Sequence, residues 1–320
     1  MTFVHDDAGA FEELVQIVAG ARGISPSLVE KDYWVTHTLW ALHQGGLDVR
    51  FKGGTSLSKG FGLIERFSED LDLRIEPGTV TELAPVTNWK GEGAKATTAR
   101  RAYFEKLATL IEVPGATTKL DVDSVDQKRW LGVEVRVGYP GQHLSGLGVM
   151  APFVRLELGV ARVTPATQRD MSSFVHDHLA TIGQLASYAD NRPRAVFCVR
   201  PLVTLIEKLD ALHRRHAKGK EPASYVRHFE DAARIVAAID ELEPLEGYEG
   251  AAALALEMLA EKQIVQVPLA SDAAFKAGDT AQWASVRQAH AEIAPMFWGP
   301  RISIDVACES IREWISKTLA

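Results

Sequence analysis

Cysteine is nearly missing from this chain. Its 320 residues contain two, Cys198 and Cys308, far apart and without metal-ligand spacing. That pattern excludes a disulfide framework and a cysteine-ligated zinc site, and it fits two small core residues in a reducing compartment. No run of about 18 uninterrupted apolar residues occurs, so no membrane-spanning helix is expected. The opening residues, MTFVHDDAGAFEELV, lack a basic stretch followed by an apolar core; no signal peptide is expected, and a cytoplasmic location follows. An excess of positive charge is missing too. A net charge of −7 argues against indiscriminate nucleic-acid binding, which needs a basic footprint.

What is present is ordinary for a globular protein: 46% hydrophobic and 24% charged residues, enough chain for one large or two ordinary domains. Apolar residues recur at helical spacing through Phe11, Leu14, Val15 and Val18, and again from Leu28 to Leu42. Ser25-Pro26 marks the second helix start, with Pro at its first position. Strand alternation appears at 119–123, 130–139 and 153–160, with a helix near 100–111 and a mobile loop expected over 88–98. From about 195 onward helical signals dominate, at 199–217, 223–240, 248–263, 280–293 and 303–318. The expected architecture is mixed α/β over 1–194 with helices at the N-terminus, then a helical domain over 195–320, with a cleft between them.

Residues 51–75, FKGGTSLSKGFGLIERFSEDLDLRI, carry most of the chemistry. A short strand, 49–52, enters a Gly-Gly-Thr-Ser turn; a helical run over 57–64 follows, then Asp-Leu-Asp inside a second strand. Asp70, Asp72 and Arg74 alternate with Leu71, Leu73 and Ile75, which puts the two carboxylates on one face. Such a pair repels, and a hard divalent cation such as Mg²⁺ removes the conflict while keeping positions open for phosphates. Gly53 and Gly54 let backbone N–H groups approach a polyphosphate, with Thr55 and Ser56 as hydroxyl donors. A Gly-Gly turn alone is usually only a turn, and a lone Asp-X-Asp a solvated strand face. Their succession points to transfer from a nucleoside triphosphate.

The segment GGTSLSKGFGLIERFSEDLDL resembles the signature of the AbiEii/AbiGii toxin family, which includes the MenT toxins. Glu30-Lys31-Asp32-Tyr33-Trp34 resembles that family's EKDYW segment, Glu207-Lys208-Leu209 its EK helix, and Arg227-His228-Phe229-Glu230-Asp231 its RHxxD segment. Order and approximate spacing fit across about 25–240. The resemblance implies a Mg²⁺-dependent nucleotidyltransferase with a polymerase-β-like core. It further implies a toxin, neutralised by an antitoxin encoded nearby, that moves nucleotides from an NTP to an RNA acceptor such as tRNA. Other acceptors, a protein or a small molecule, stay open, as does a non-catalytic nucleotide-binding partner.

The remaining candidates complete that reading. The resemblance favours Glu157 as a third carboxylate beside the metal dyad, while Asp121, Asp123 and Glu134 lie on competing strands. Lys208 borders the apolar stripe 202, 205, 206, 209 and 212, where a lysine either snorkels or reaches a triphosphate as a point charge; it matches a lysine the family uses for activity. Lys59 is a further candidate phosphate contact. Asp231 either pairs with Arg227 on the surface or, as the resemblance implies, orients a catalytic group or accepts a proton. Glu30 to Trp34 are expected to brace the core without a chemical role, and His176 and His178 to lie in a loop rather than hold a metal. From 192 to 234 ten Lys/Arg stand against five Asp/Glu, a basic stretch that suits either a phosphate backbone or a solvated helix face.

Overall fold

A computed structural model of the chain describes residues 1–320 apart from Glu69, Gly148, Val149, Ala161 and Ala320, and without the side chain of Leu147. The chain divides into two compact units. The first comprises Met1–Gly60, Phe67–Val163 and Thr167–Cys198, the second Phe61–Arg66, Thr164–Ala166 and Val199–Ala320.

In the first unit, α1 (Ala8–Arg22) starts where the Asp7 carboxylate accepts from the Gly9 and Ala10 amides, and stops at Gly23 in the left-handed region. α2 (Pro26–Gln44) starts as expected, with Ser25 capping Leu28 N–H and Pro26 in the first turn. Nearly the whole of α2 is buried, including Glu30, Lys31 and Asp32 at 3% exposure or less. Charges can be buried there because each is answered. Glu30 accepts from the Gln142 and His143 amides, Lys31 donates to the Ala151 carbonyl, and Asp32 accepts from Phe174 N–H. The EKDYW residues therefore fasten α2 to the loops and strands around it.

The sheet has seven strands. β1 (Asp48–Lys52) leads into α3 (Gly53–Thr55), which continues as a π-helical turn over Ser56–Gly60. β2 (Asp70–Glu76), α4 (Ala94–Leu110), β3 (Thr117–Asp121), β4 (Gly132–Gly138), β5 (Val154–Gly159), β6 (Ala166–Arg169), α5 (Phe174–Thr181) and β7 (Val196–Val199) follow. The order across the sheet is β3-β4-β5-β2-β1-β7-β6, with β2–β5 and β1–β7 parallel. Alternation gives it one apolar face, where Val49, Phe51, Leu71, Leu73, Ile75, Val133, Val135, Leu156 and Leu158 are buried.

Three expectations need correction. The helical run ends at Gly60 and not at 64: Gly62 takes φ +64, and 61–66 run on without helix. The loop at 88–98 stops at Gly93, where α4 begins, and the buried Arg100 ties its carbonyls down, donating to Gly91 O at 2.8 Å and Trp89 O at 3.3 Å. His176 and His178 sit on α5, whose start is capped by Ser173. Strands β6 and β7, four residues each, gave no alternation long enough to read.

The second unit is helical after its short leading segments: α6 (Pro201–Ala217), α7 (Arg227–Ala237), α8 (Ala251–Ala260), α9 (Ala281–Glu292) and α10 (Ile304–Thr318). α6 and α10 both pack on α7. Pro201 opens α6, and the hydroxyls of Thr280 and Ser303 cap α9 and α10. The core holds Leu205, Ile206, Leu209 and Leu212 of α6, Phe229 and Ile235 of α7, and Ile311 and Ile315 of α10.

Candidate active site

The polar face of the sheet in the first unit is laid out in rows. Asp72 on β2 is the register partner of Lys52 on β1 and of Glu157 on β5; Glu157 faces Glu134 on β4, and Glu134 faces Asp121 on β3. Neighbouring strands lie about 4.8 Å apart, so this is a line of four carboxylates ended by one lysine. The adjoining row holds Asp70, Arg155, Arg136 and Lys119. Arg155 pairs with Asp70 at 3.2 Å and with Glu134 at 3.3 Å. Arg136 pairs with Glu134 at 2.9 Å and also with Asp121. The outer acids are thus neutralised from the second row.

Glu157 is the carboxylate next to the dyad. It shares a hydrogen bond with Asp72, and burial, then the charges of Asp72 and Asp70, push its carboxyl up to about 7. A shared hydrogen bond between two acids requires a proton, which is what crowding of like charges enforces. Glu134 is one strand further out, Asp121 two, and Asp123 lies in a short 3₁₀ turn beyond the end of β3. A groove of about 400 Å³ opens beside the row, lined by Lys52, Asp72, Ser124, Glu134 and Glu157 among others.

The Gly-Gly turn touches this row. Gly53 has φ +78, and a Cβ there would lie 1.8 Å from Oδ2 of Asp72. Only glycine permits that backbone and that approach. The other turn residues serve the framework. The Thr55 hydroxyl lies 2.9 Å from Ser68 O and 2.7 Å from Asp70 O, so it fixes the entry to β2 instead of pointing outward. Ser56 is 1% exposed, beside the Cys198 thiol. Lys59 spans from the turn to α2, 2.5 Å from Asp32 Oδ1 and 3.0 Å from Ser172 O. Burial dominates at Asp32 and raises its carboxyl despite that lysine.

In the second unit, Lys208 of α6 and Asp231 of α7 come together, 23 residues apart. Lys208 Nζ donates to Asp231 Oδ2 at 2.7 Å, and Arg66 grips the same carboxylate, Nε to Oδ1 and Nη2 to Oδ2, both at 2.7 Å. All three side chains are at least nine-tenths buried. Burial would raise the Asp231 carboxyl, but Arg66 and then Lys208 outweigh it and hold it well below the usual carboxylate range. His228 lies 3.4 Å from Lys208 and is held neutral by its burial, with the lysine charge second. Asp231 is therefore no surface partner of Arg227, and a carboxylate shared by two cations is a poor proton acceptor near neutrality.

Residues 38–308 match the family model described as "Nucleotidyl transferase AbiEii toxin, Type IV TA system". The chain belongs to the AbiEii family. No curated protein matches it. Among solved structures it is similar to JHP933 from Helicobacter pylori, at 11% identity and a TM-score of 0.35, over 92% of this chain and 95% of that one. The mixed α/β architecture is that of an AbiEii nucleotidyltransferase core with helical termini, and membership in a type IV toxin–antitoxin family implies an antitoxin partner. Among the described residues no helix is long and apolar enough to cross a membrane.

For this AbiEii chain, the donor chemistry at Asp70, Asp72 and Glu157 fits a hard divalent cation: all-oxygen ligands, crowded enough to push the Glu157 carboxyl up to about 7. The side chains are not already closed around a common point, since no described group of three His, Cys, Asp or Glu is placed to hold a metal as it stands. Sequence reading missed three members of these clusters. Lys52 was legible as the residue before the double glycine, Arg155 as the polar neighbour of Glu157, and Arg66 as the cation inside the GGTS-to-DLD segment. Alternation along 153–158 put Arg155 on the polar face with Glu157 but could not say what it meets.

Proposed function

We propose that the chain is a Mg²⁺-dependent nucleotidyltransferase, the toxin of its pair, that transfers nucleotides from an NTP to an RNA acceptor, tRNA among RNAs, in the cytoplasm. The observation that carries this reading is the Asp72–Glu157 contact, flanked by Asp70 and abutted by Gly53. Asp72 and Glu157 crowd together on one sheet face beside Asp70, and the crowding pushes the Glu157 carboxyl up to about 7, which a divalent cation would relieve. Asp70, Asp72 and Glu157 would hold Mg²⁺, which when bound supplies Lewis-acid stabilisation of the charge that develops on the triphosphate.

The chain's own residues do the rest. Gly53 and Gly54 let the turn's main chain approach phosphates, with Thr55, Ser56 and Lys59 giving the turn its shape. Lys52, at the end of the acid row, adds a cation at the groove. Lys208 supplies a point charge for phosphate oxygens, and Asp231 holds that lysine in place. Such fixed charges act without reorganising during reaction.

The test is to incubate the full chain and Mg²⁺ with each α-labelled NTP and total RNA, and to find where label lands. Label in RNA, lost in Asp72→Ala, is expected. RNA binding should also weaken steeply with salt. Label on protein or on a small molecule instead would replace the acceptor, and no incorporation with any NTP would overturn the reading.

A further inference from the structure

We propose that the turn joining α6 to α7 is the surface that holds the phosphate backbone of the RNA acceptor, through Arg215, Lys218, Lys220 and Arg227. This deepens the RNA-transfer reading above and rests on it.

The ten cations of the 192–234 stretch fall into two groups. Arg192 and Arg194 pair with Asp190, Arg200 with Glu243, Lys208 with Asp231, Arg214 with Asp210 and Arg234 with Glu65. Among the described residues no carboxylate pairs with the other four, Arg215, Lys218, Lys220 and Arg227. All four stand on one turn, where Glu221 is the single acid between 218 and 229. Lys218 and Lys220 are exposed, and Arg215 and Arg227 are half-buried.

The turn is built to present them. α6 ends at Ala217, Gly219 turns the chain with φ +56, and a 3₁₀ turn over Pro222–Ser224 leads to α7. Arg215 Nη1 donates to the Ser224 carbonyl, and the buried Tyr225 and Val226 anchor the far end. Arg215 follows Lys208 by seven residues, so the two share one face of α6 about 10 Å apart. Arg227 opens α7 next to His228, which lies 3.4 Å from Lys208. The cations also crowd one another. After burial, the charges of Arg214 and Arg227 lower the Arg215 guanidinium, a repulsion that an anion would relieve.

The composition of the patch selects its partner. A protein partner would need apolar and aromatic anchors at the centre of the contact. Among the described residues the exposed large apolar side chains of this unit are Leu256, Val265, Leu269 and Val306, none of them on the turn. Lysine and arginine without such anchors suit phosphates, whose contacts position a nucleic acid without reading its sequence. In a chain of net charge −7, an RNA acceptor needs a local patch of this kind.

The test measures binding of a fluorescent tRNA pool across a salt series, label transfer and thermal melting. It compares wild type with Lys218→Gln/Lys220→Gln/Arg227→Gln and with a control of equal charge in the first unit, Lys90→Gln/Lys95→Gln/Lys106→Gln. Each phosphate contact adds roughly 0.7 to 0.9 to the slope of log affinity against log salt. The turn variant should melt with wild type and lose roughly 2 to 3 of that slope. Its KM for RNA should rise roughly 10-fold or more, while KM for the NTP holds. The control should keep the wild-type slope. If the turn variant unfolds early, the exposed pair Lys218→Gln/Lys220→Gln takes its place, with roughly 1 to 2 of slope lost. An unchanged slope, or an equal loss in the control, overturns the proposal, and RNA labelling by wild type then leaves the reading beneath it standing. A turn variant that binds RNA normally but escapes its antitoxin also overturns it, and assigns the turn to a protein partner. So does one that raises only the NTP KM, which assigns the turn to the triphosphate. No labelling of RNA by wild type overturns both the surface and the reading it rests on.

Discussion

Asp72 and Glu157 stand opposite one another on parallel strands and share a hydrogen bond. Their side chains lie on the polar face, away from the Leu71, Leu73, Leu156 and Leu158 core. Asp72→Ala should therefore abolish label transfer while leaving the circular dichroism spectrum and melting temperature near wild type. Asp70→Asn should be nearly as damaging, because a carboxamide is a poor Mg²⁺ ligand. Glu157→Gln should lower transfer and leave stability equal or slightly higher, since it relieves like-charge crowding. A fully active Glu157→Gln chain would remove Glu157 from the site and leave the dyad standing.

Gly53→Ala tests the turn. The left-handed backbone costs a residue with a Cβ about 1 kcal/mol or more, and at Gly53 that Cβ would also collide with Asp72 Oδ2 at 1.8 Å. Transfer should be lost. Gly62→Ala is the control, because Gly62 also has positive φ but has nothing within 4 Å of the added atom. It should cost stability alone. Equal activity in the two variants would show that the approach of Gly53 to Asp72 is not needed.

Much of the fold was legible because period-2 and period-3.6 patterns are strong where one face is buried. The strands around Asp72, Glu134 and Glu157 and the five later helices fall within a few residues of their sequence ranges. The errors lie where local pattern yields to a distant contact. Nothing in Asn88–Thr98 announces that Arg100 will tie its carbonyls, and nothing near Gly60 announces that the chain will leave the helix to pair with Phe297. The site divides the same way. Alternation put Asp70 and Asp72 on one face, and a likeness of motifs favoured Glu157; but alternation cannot give register, so it could not separate Glu157 from Glu134. Lys59 and Thr55 carried donor chemistry without any sign that Asp32 and the Asp70 carbonyl would take it up.

Lys59 can be separated into its two readings. Its ammonium is 2.5 Å from Asp32, which is 3% exposed. Removing one partner of a buried pair costs roughly 3–5 kcal/mol, so Lys59→Met should lower the melting temperature by on the order of 10 °C. Lys59→Met/Asp32→Asn, which leaves no unpaired charge, should recover most of that stability. If Lys59 is purely a brace, transfer recovers with it. If the double variant is stable but inactive, Lys59 also contacts phosphate.

A buried histidine network should draw stability down in mild acid, opposing Glu157, whose raised carboxyl pulls the other way over the same range. His37 Nε2 meets the Pro114 carbonyl at 2.9 Å, so that nitrogen donates and Nδ1 accepts from the Asn191 amide at 2.8 Å. Asn191 Oδ1 then accepts from His176 Nε2 at 2.6 Å, leaving His176 Nδ1 to accept from the Ser173 hydroxyl. The bonds are complete only when both imidazoles are neutral. Burial, the leading cause in each, lowers both from 6.5 to about 4. Between these values the unfolded chain binds protons that the folded one refuses, so stability is full above about 6.5 and drains as pH falls toward 4. At about 1.4 kcal/mol per pH unit, each histidine accounts for a loss on the order of 3 kcal/mol. Denaturant midpoints measured from pH 7 to 4 should show this decline. His176→Gln should flatten it, because glutamine has no proton to take up. A pH profile that His176→Gln leaves unchanged would mean that His176 is protonated in the fold, with its Nδ1 donating where the neutral ring would accept.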